Sequence, residues 1–136
     1  LKLEENTSIW HTHNIWLFSF YFAGIRISDV VKMKWSDFKD DRLYYVMNKN
    51  EKALSLKIPL KAEKILNYYK KEKHLNKGFV FPFLRNTNPK DAEQIYIKTK
   101  TSIKEVNVNI NNMFFLICLR SYKFYFRYAS ILNKLF

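Results

Sequence analysis

The stretch "FAGIRISDVVKMKWSDFKDDRLYYVMNKNEKALSLKIPL", residues 22–60, decides the fold. It passes from helix to strand within one short span. Gly24 reads as the left-handed stop of an apolar helix. Ser28 restarts a helix as its N-cap, and Asp29 falls in the first turn, where negative charge suits the helix dipole. Val30, Val31, Met33 and Trp35 give that short helix an apolar side. "RLYYVMN", residues 42–48, is aromatic and β-branched and predicts a strand. "ALSLKIP", residues 53–59, alternates Leu54, Leu56 and Ile58 inward with Ser55 and Lys57 outward, and Pro59 ends it. "KNEK" between the two makes them a β-hairpin.

Helices are predicted on both sides of this span. Thr7 or Ser8 caps one running to about Ala23. Its second half, within "IWLFSFYF" at residues 15–22, is apolar all round and predicts a central, buried helix. Ala62, Ile65, Leu66 and Tyr69 recur at helical spacing between Leu60 and about Lys73. "FVFPFL", residues 79–84, reads as a short buried segment. Pro89 with Asp91 opens a last helix through Ile95, Ile103, Val106 and Ile110. The expected fold class is α+β, mainly α: a helical domain with a small antiparallel sheet.

A chain of 136 residues suits one domain, and 48% hydrophobic residues can fill its core, which excludes global disorder. Twenty-four Lys and Arg against twelve Asp and Glu leave a net charge of +12. Such a balance points to a polyanion, either nucleic acid or an anionic membrane surface. Codon bias in an AT-rich genome is the inert explanation. Cys118 is the only cysteine, so no internal disulfide forms and a reducing cytoplasm fits. Residues 15–22 are too short to span a bilayer, and "LKLEENTS" lacks the cationic start of a signal peptide. A start at Leu1 rather than Met raises the expectation of a fragment.

Two features carry candidate chemistry. Arg26 follows the Gly24 stop, so its backbone leaves a packed element at a fixed place. A guanidinium is always charged and presents a rigid fork of donors suited to a phosphodiester. Asp29, three residues on, can orient it. The competing reading is a plain Arg–Asp surface pair at a helix start. Lys49 and Lys52 lie at the hairpin tip, where a lysine can reach a bound duplex and protonate a leaving oxygen. Lysines are also common at such tips for no functional reason.

Taken in order, "AGIRISDVVKMKWSDF" and "RLYYVMNKNEKALSLKIPL" resemble the catalytic domain of tyrosine recombinases, the phage integrase family. The nearest likeness is to integrases of Bacteroides-type mobile elements. Gly24, Arg26 and Asp29 match the family's "G-[LMI]-R-x-x-[DE]" motif. Trp35 and Asp37 match its "W-x-D". Lys49 matches the lysine on the hairpin of its three-stranded sheet, and "KIPL" matches the strand that follows. "FVFPFL" is similar to the segment before the family's next helix. The likeness covers roughly residues 8–110.

The resemblance implies a mechanism. In the family a tyrosine attacks a DNA phosphodiester, forming a 3′-phosphotyrosine link and releasing a 5′ hydroxyl. Two arginines stabilise the phosphoryl charge and the lysine protonates the leaving oxygen. No metal or other cofactor is needed. Arg26 would then be the first phosphate clamp, Lys49 the general acid, Asp29 the group orienting Arg26, and Lys49 with Lys52 the DNA contacts. Double-stranded DNA and other recombinase protomers are the implied partners, with no membrane involved and a DNA-associated cytoplasmic location.

The downstream half departs from this pattern. The family needs a "H-x-x-R" motif and a nucleophilic tyrosine, but His11, His13 and His74 are followed three residues later by Asn14, Trp16 and Lys77. Residues 113–136, "MFFLICLRSYKFYFRYASILNKLF", are dense in Phe and Tyr and hold no acid. A reading-frame shift near residue 112 accounts for this mixture; a genuine hydrophobic C-terminal helix is the alternative. The expected organisation is therefore a partial catalytic domain over residues 1–112, incomplete at its C-terminus, and an atypical tail over 113–136. The family's helical core-binding domain would precede Leu1. On this reading the chain is a DNA-binding fragment, inactive alone. Two rivals remain. One is a non-catalytic nucleic-acid-binding module using the hairpin and exposed Tyr44 and Tyr45. The other is a membrane-surface protein whose aromatic, cationic tail lies in the interface.

Overall fold

The computed structural model describes residues 2–46 and 53–135, of which 120–135 are described by their backbone alone. Helix α1 spans Ser8–Tyr21. Thr7 is its N-cap, in extended conformation, and its hydroxyl accepts the Trp10 amide at 3.3 Å. Thr12, Ile15 and Phe18 are buried on its inner face. The helix is not buried all round, as the sequence suggested. Trp16 and Phe20 lie on the opposite side, 66% exposed in the case of Phe20, and stack on each other at 6.0 Å. One apolar stripe meets the other helices, and the rest of a four-turn helix has nothing left to pack against.

The chain reverses after α1 as expected. Ala23 and Gly24 both take positive φ, 59° and 85°. The Gly24 amide donates to the Ser19 carbonyl at 2.9 Å, closing the helix end. Helix α2 follows at Ile27–Val30. Its N-cap is Arg26, not Ser28: the Arg26 carbonyl already accepts the Asp29 and Val30 amides at 2.9 and 3.1 Å. Val30 and Val31 are fully buried against α1 and its neighbours.

A short 3-10 turn, Trp35–Asp37, leads into a three-stranded antiparallel sheet in the order β1-β2-β3. The strands are β1 Phe38–Lys39, β2 Arg42–Val46 and β3 Ala53–Lys57. Pairing the residues alone gave only the hairpin. The extra strand comes from Asp40 and Asp41, both at positive φ (50° and 56°), which form the tight turn between β1 and β2. In β2 and β3, Tyr45 opposes Leu54 and Leu43 opposes Leu56. Leu54 and Leu56 are the half-buried positions of β3, so the alternation expected there is present. Strand β3 ends at Lys57, two residues short of its predicted span. Met47 and Asn48 lie outside the described residues, and Pro59 is the N-cap of the next helix.

Helix α3, Leu60–Lys70, buries Ala62, Leu66 and Tyr69. The segment from Phe79 to Phe81 is buried, as its sequence predicts, and pairs with the chain after α2. The Val80 amide donates to the Met33 carbonyl and the Trp35 amide to the Gly78 carbonyl, each at 2.9 Å. Phe81 packs edge-on against both Phe18 and Tyr69, which ties α1, α3 and this segment into one core. Helix α4 runs from Ala92 to Leu135. The Asp91 carboxylate accepts the Gln94 amide at 3.0 Å and starts it. Thr99, Ser102, Val106 and Met113 form its buried stripe. The helix continues past residue 112 without a break.

Polar side chains lock the helices together. Asn109 of α4 donates to Ser8 and Thr12 of α1 at 2.8 and 3.0 Å, and the Ser8 hydroxyl donates to Glu105. His11 Nδ1 lies 2.7 Å from the Tyr69 hydroxyl, which also accepts from Asn14 at 3.4 Å. Burial, then the Arg85 guanidinium, push the His11 pKa down to about 4. Burial likewise pushes the Tyr69 phenol up.

Phe18→Ala should cost about 3–5 kcal/mol in urea unfolding, because it empties a fully buried site. Phe20→Ala should change stability by less than about 0.5 kcal/mol. His11 also gives a pH dependence. Its folded pKa lies below its ordinary value of 6.5, so the unfolded chain binds the proton first. Its share of stability is present above pH 6.5 and is lost as pH falls toward 4. The urea midpoint of the wild type should therefore fall through that window more steeply than that of His11→Phe. Parallel curves would remove His11 from the account.

Candidate functional site

Three local choices place Arg26. The Gly24 reversal ends α1. The Ser19 hydroxyl donates to the Ile25 carbonyl at 2.5 Å, holding the strap between the helices. Ile25 itself is buried. Arg26 is therefore presented at the start of α2 by a backbone anchored on both sides. Its guanidinium Nη2 lies 3.2 Å from Asp29 Oδ2, and the two side chains are 46% and 5% exposed. Arginine is free to meet solvent while its carboxylate partner is sunk in the domain. This is the only ion pair among the described residues. The structure thus brings together Arg26 and Asp29, as their spacing suggested.

Beside this pair lies a groove of about 450 Å³ between α2 and the sheet. Asp29, Lys32 and Met33 form one wall, Tyr44, Tyr45 and Val46 the other, with Ala53, Leu54 and Asp37 completing it. Tyr44 is 45% exposed. Tyr45 is not the exposed aromatic expected of it: it is half-buried and packs on the core, because it shares the inward face of β2 with the buried Leu43. Its phenol is pushed up by burial first and then by the Asp29 carboxylate, with Arg26 acting in the opposite sense. Tyr45 therefore reports the same electrostatic site as the ion pair and carries its proton at neutral pH.

The "W-x-D" residues play a structural part here. Asp37 Oδ2 accepts the Lys34 amide at 2.8 Å and closes the 3-10 turn that feeds β1. Trp35 lies tilted against Phe38, ring centres 6.1 Å apart. Lys49 and Lys52, the expected general acid and DNA contacts, lie outside the described residues. Val46 and Ala53, which flank that segment, both line the groove. Lys32 was missed from sequence. Its signal was its place three residues after Asp29: it lies in the turn just past α2, where its amide donates to the Asp29 carbonyl at 3.2 Å.

The arrangement offers an anchored, solvent-facing guanidinium, a nearby ammonium and an aromatic wall. Such a set suits an anion carried on a larger, flat or grooved ligand. Comparison with family models, with curated proteins and with solved structures returns no match.

Asp29→Asn keeps the shape but removes the charge that holds Arg26. It should lower stability by about 1 kcal/mol, since one partner is half-exposed. It should also free the guanidinium, read as faster Arg26 side-chain motion by NMR relaxation. An unchanged Arg26 signal would mean that other contacts orient it.

Proposed function

We propose that this chain is the DNA-holding part of a tyrosine recombinase catalytic domain, with Arg26 as a clamp on a backbone phosphate. The observation that carries the reading is the Arg26–Asp29 pair. It is set by a glycine stop and followed in order by a three-stranded antiparallel sheet whose hairpin flanks the same groove. A guanidinium anchored from its inner side needs little reorganisation to meet a phosphate, which is what transition-state stabilisation of phosphoryl transfer requires. Lys32 adds charge on the same wall, and the net charge of +12 adds counterion release over the whole surface.

In this proposal Asp29 positions Arg26, and Lys49 and Lys52 extend the contact from the hairpin. Strand cleavage is not assigned to this chain, because neither a "H-x-x-R" pair nor a placed nucleophilic tyrosine is present in its sequence. A second reading, a module that holds single strands, has one observation in its favour. Tyr44 presents an exposed ring on the groove wall, as a stacking platform would.

Fluorescence anisotropy with a labelled duplex tests the proposal. Wild type should bind, and affinity should fall steeply between about 50 and 200 mM salt. Arg26→Ala should weaken binding uniformly across sequences and lower the salt slope by about one. A folded Arg26→Ala protein with unchanged affinity would overturn the role of Arg26. A preference for single strands that disappears in Tyr44→Ala would favour the second reading.

A further inference from the structure

Helix α4 belongs to the domain only as far as Met113, which is 8% exposed. The next six residues all face solvent. Phe114, Phe115, Leu116, Ile117 and Leu119 are between 44% and 63% exposed, and Cys118 between them is exposed too. At about 100° per residue, six consecutive positions cover every side of a helix. No side of this stretch is covered by the rest of the domain. A helix that is apolar all round is ordinarily buried. This one continues to Leu135, so about 33 Å of it extends beyond Met113.

Its charge narrows the choice of partner. Residues 113–136 contain Arg120, Lys123, Arg127 and Lys134 and no Asp or Glu. Their separations of three, four and seven put the four cations in one register of the continuing helix. A second copy of the segment could cover the apolar residues, but it would bring four more cations and no acid to meet them. A nucleic acid would answer the charge and leave the Phe, Leu and Ile surface in water. An anionic bilayer surface answers both: the acyl boundary takes the apolar residues and the headgroups take the cations. No helix among the described residues is long and apolar enough to cross a membrane; a segment that joins apolar residues to cations suits a contact in the plane of the interface.

We infer that the C-terminal half of α4 is an interfacial anchor for anionic lipid surfaces. This inference does not rest on the recombinase reading, and it departs from the expectation that no membrane is involved.

Vesicle co-sedimentation of the full chain tests it, with phosphatidylcholine alone and with one quarter phosphatidylglycerol. Wild type should bind the anionic vesicles at least tenfold more strongly, and raising salt from 150 to 500 mM should weaken this. Phe115→Glu with Leu116→Glu should lose binding at least tenfold while the thermal melt is unchanged, since both residues are exposed. Arg120→Gln with Lys123→Gln and Arg127→Gln should remove the preference for anionic lipid. Arg26→Ala should leave vesicle binding unaltered, so failure here is separable from failure of the DNA proposal. Three outcomes would overturn the inference. One is no binding to either vesicle. Another is a dimer in sedimentation velocity that the Glu variant abolishes without any vesicle binding. The third is loss of duplex binding, rather than vesicle binding, in the tail variants.

Discussion

The reversal at Ala23 and Gly24 is the constraint on which the rest of the domain depends. It ends α1 while the Phe18 and Phe22 side chains are still in the core. It sends the chain back so that Ile25, Val30 and Val31 can bury against the same helix. Two consecutive residues at positive φ are costly for an alanine and free for a glycine. That cost is offset by the helix-end hydrogen bonds and by the Ser19 hydroxyl on the Ile25 carbonyl. Move the stop by one residue, and Arg26 would no longer cap α2 or face Asp29.

Electrostatics set the second constraint. Of the chain's net charge of +12, eight charges fall on residues 1–113, with 20 Lys and Arg against 12 Asp and Glu, and that domain makes one ion pair among its described residues. The excess has no carboxylate to meet it and is left to water and counterions, a poor arrangement for a compact chain on its own and a good one for a polyanion. The one carboxylate drawn into an ion pair, Asp29, is nearly buried, and it steadies the arginine at the groove. The neutral, partly buried network of His11, Asn14 and Tyr69 lies toward the other end of α1 and works differently. There the low-dielectric setting keeps both titratable groups uncharged, and they serve packing between α1 and α3.

Helix α4 combines two environments in a single element. Up to Met113 its buried stripe follows the core of the domain, with Thr99, Ser102 and Val106 at helical spacing. From Phe114 to Leu119 the same backbone carries large apolar residues on every side with nothing of the domain against them. Intrinsic propensity keeps the helix going across this change, because Phe, Leu, Ile and Lys interrupt nothing. The change is in what covers the side chains, and it decides what kind of surface the segment can meet.

Local spacing and a few residues with special backbone freedom were enough to give the longer helices and the β2–β3 pair, but not β1. Thr7, Gly24, Pro59 and Asp91 mark element ends as their chemistry dictates. The alternation of Leu54 with Leu56 and the apolar run at residues 79–84 were legible for the same reason. The pairing of Arg26 with Asp29 was legible too, since three residues span one helical turn. What local pattern could not fix was decided by neighbours distant in the chain. The N-cap of α2 moved to Arg26 because the strap from α1 was held by Ser19. The β1 strand formed because Asp40 and Asp41 accepted a left-handed turn that closed the sheet. Tyr45 was drawn half inside, and Trp16 and Phe20 were left outside, because burial depends on which surfaces remain once the helices have packed. Only the tertiary structure set the groove beside Arg26 and ended the domain at Met113, because both depend on area shared between elements that no local window contains.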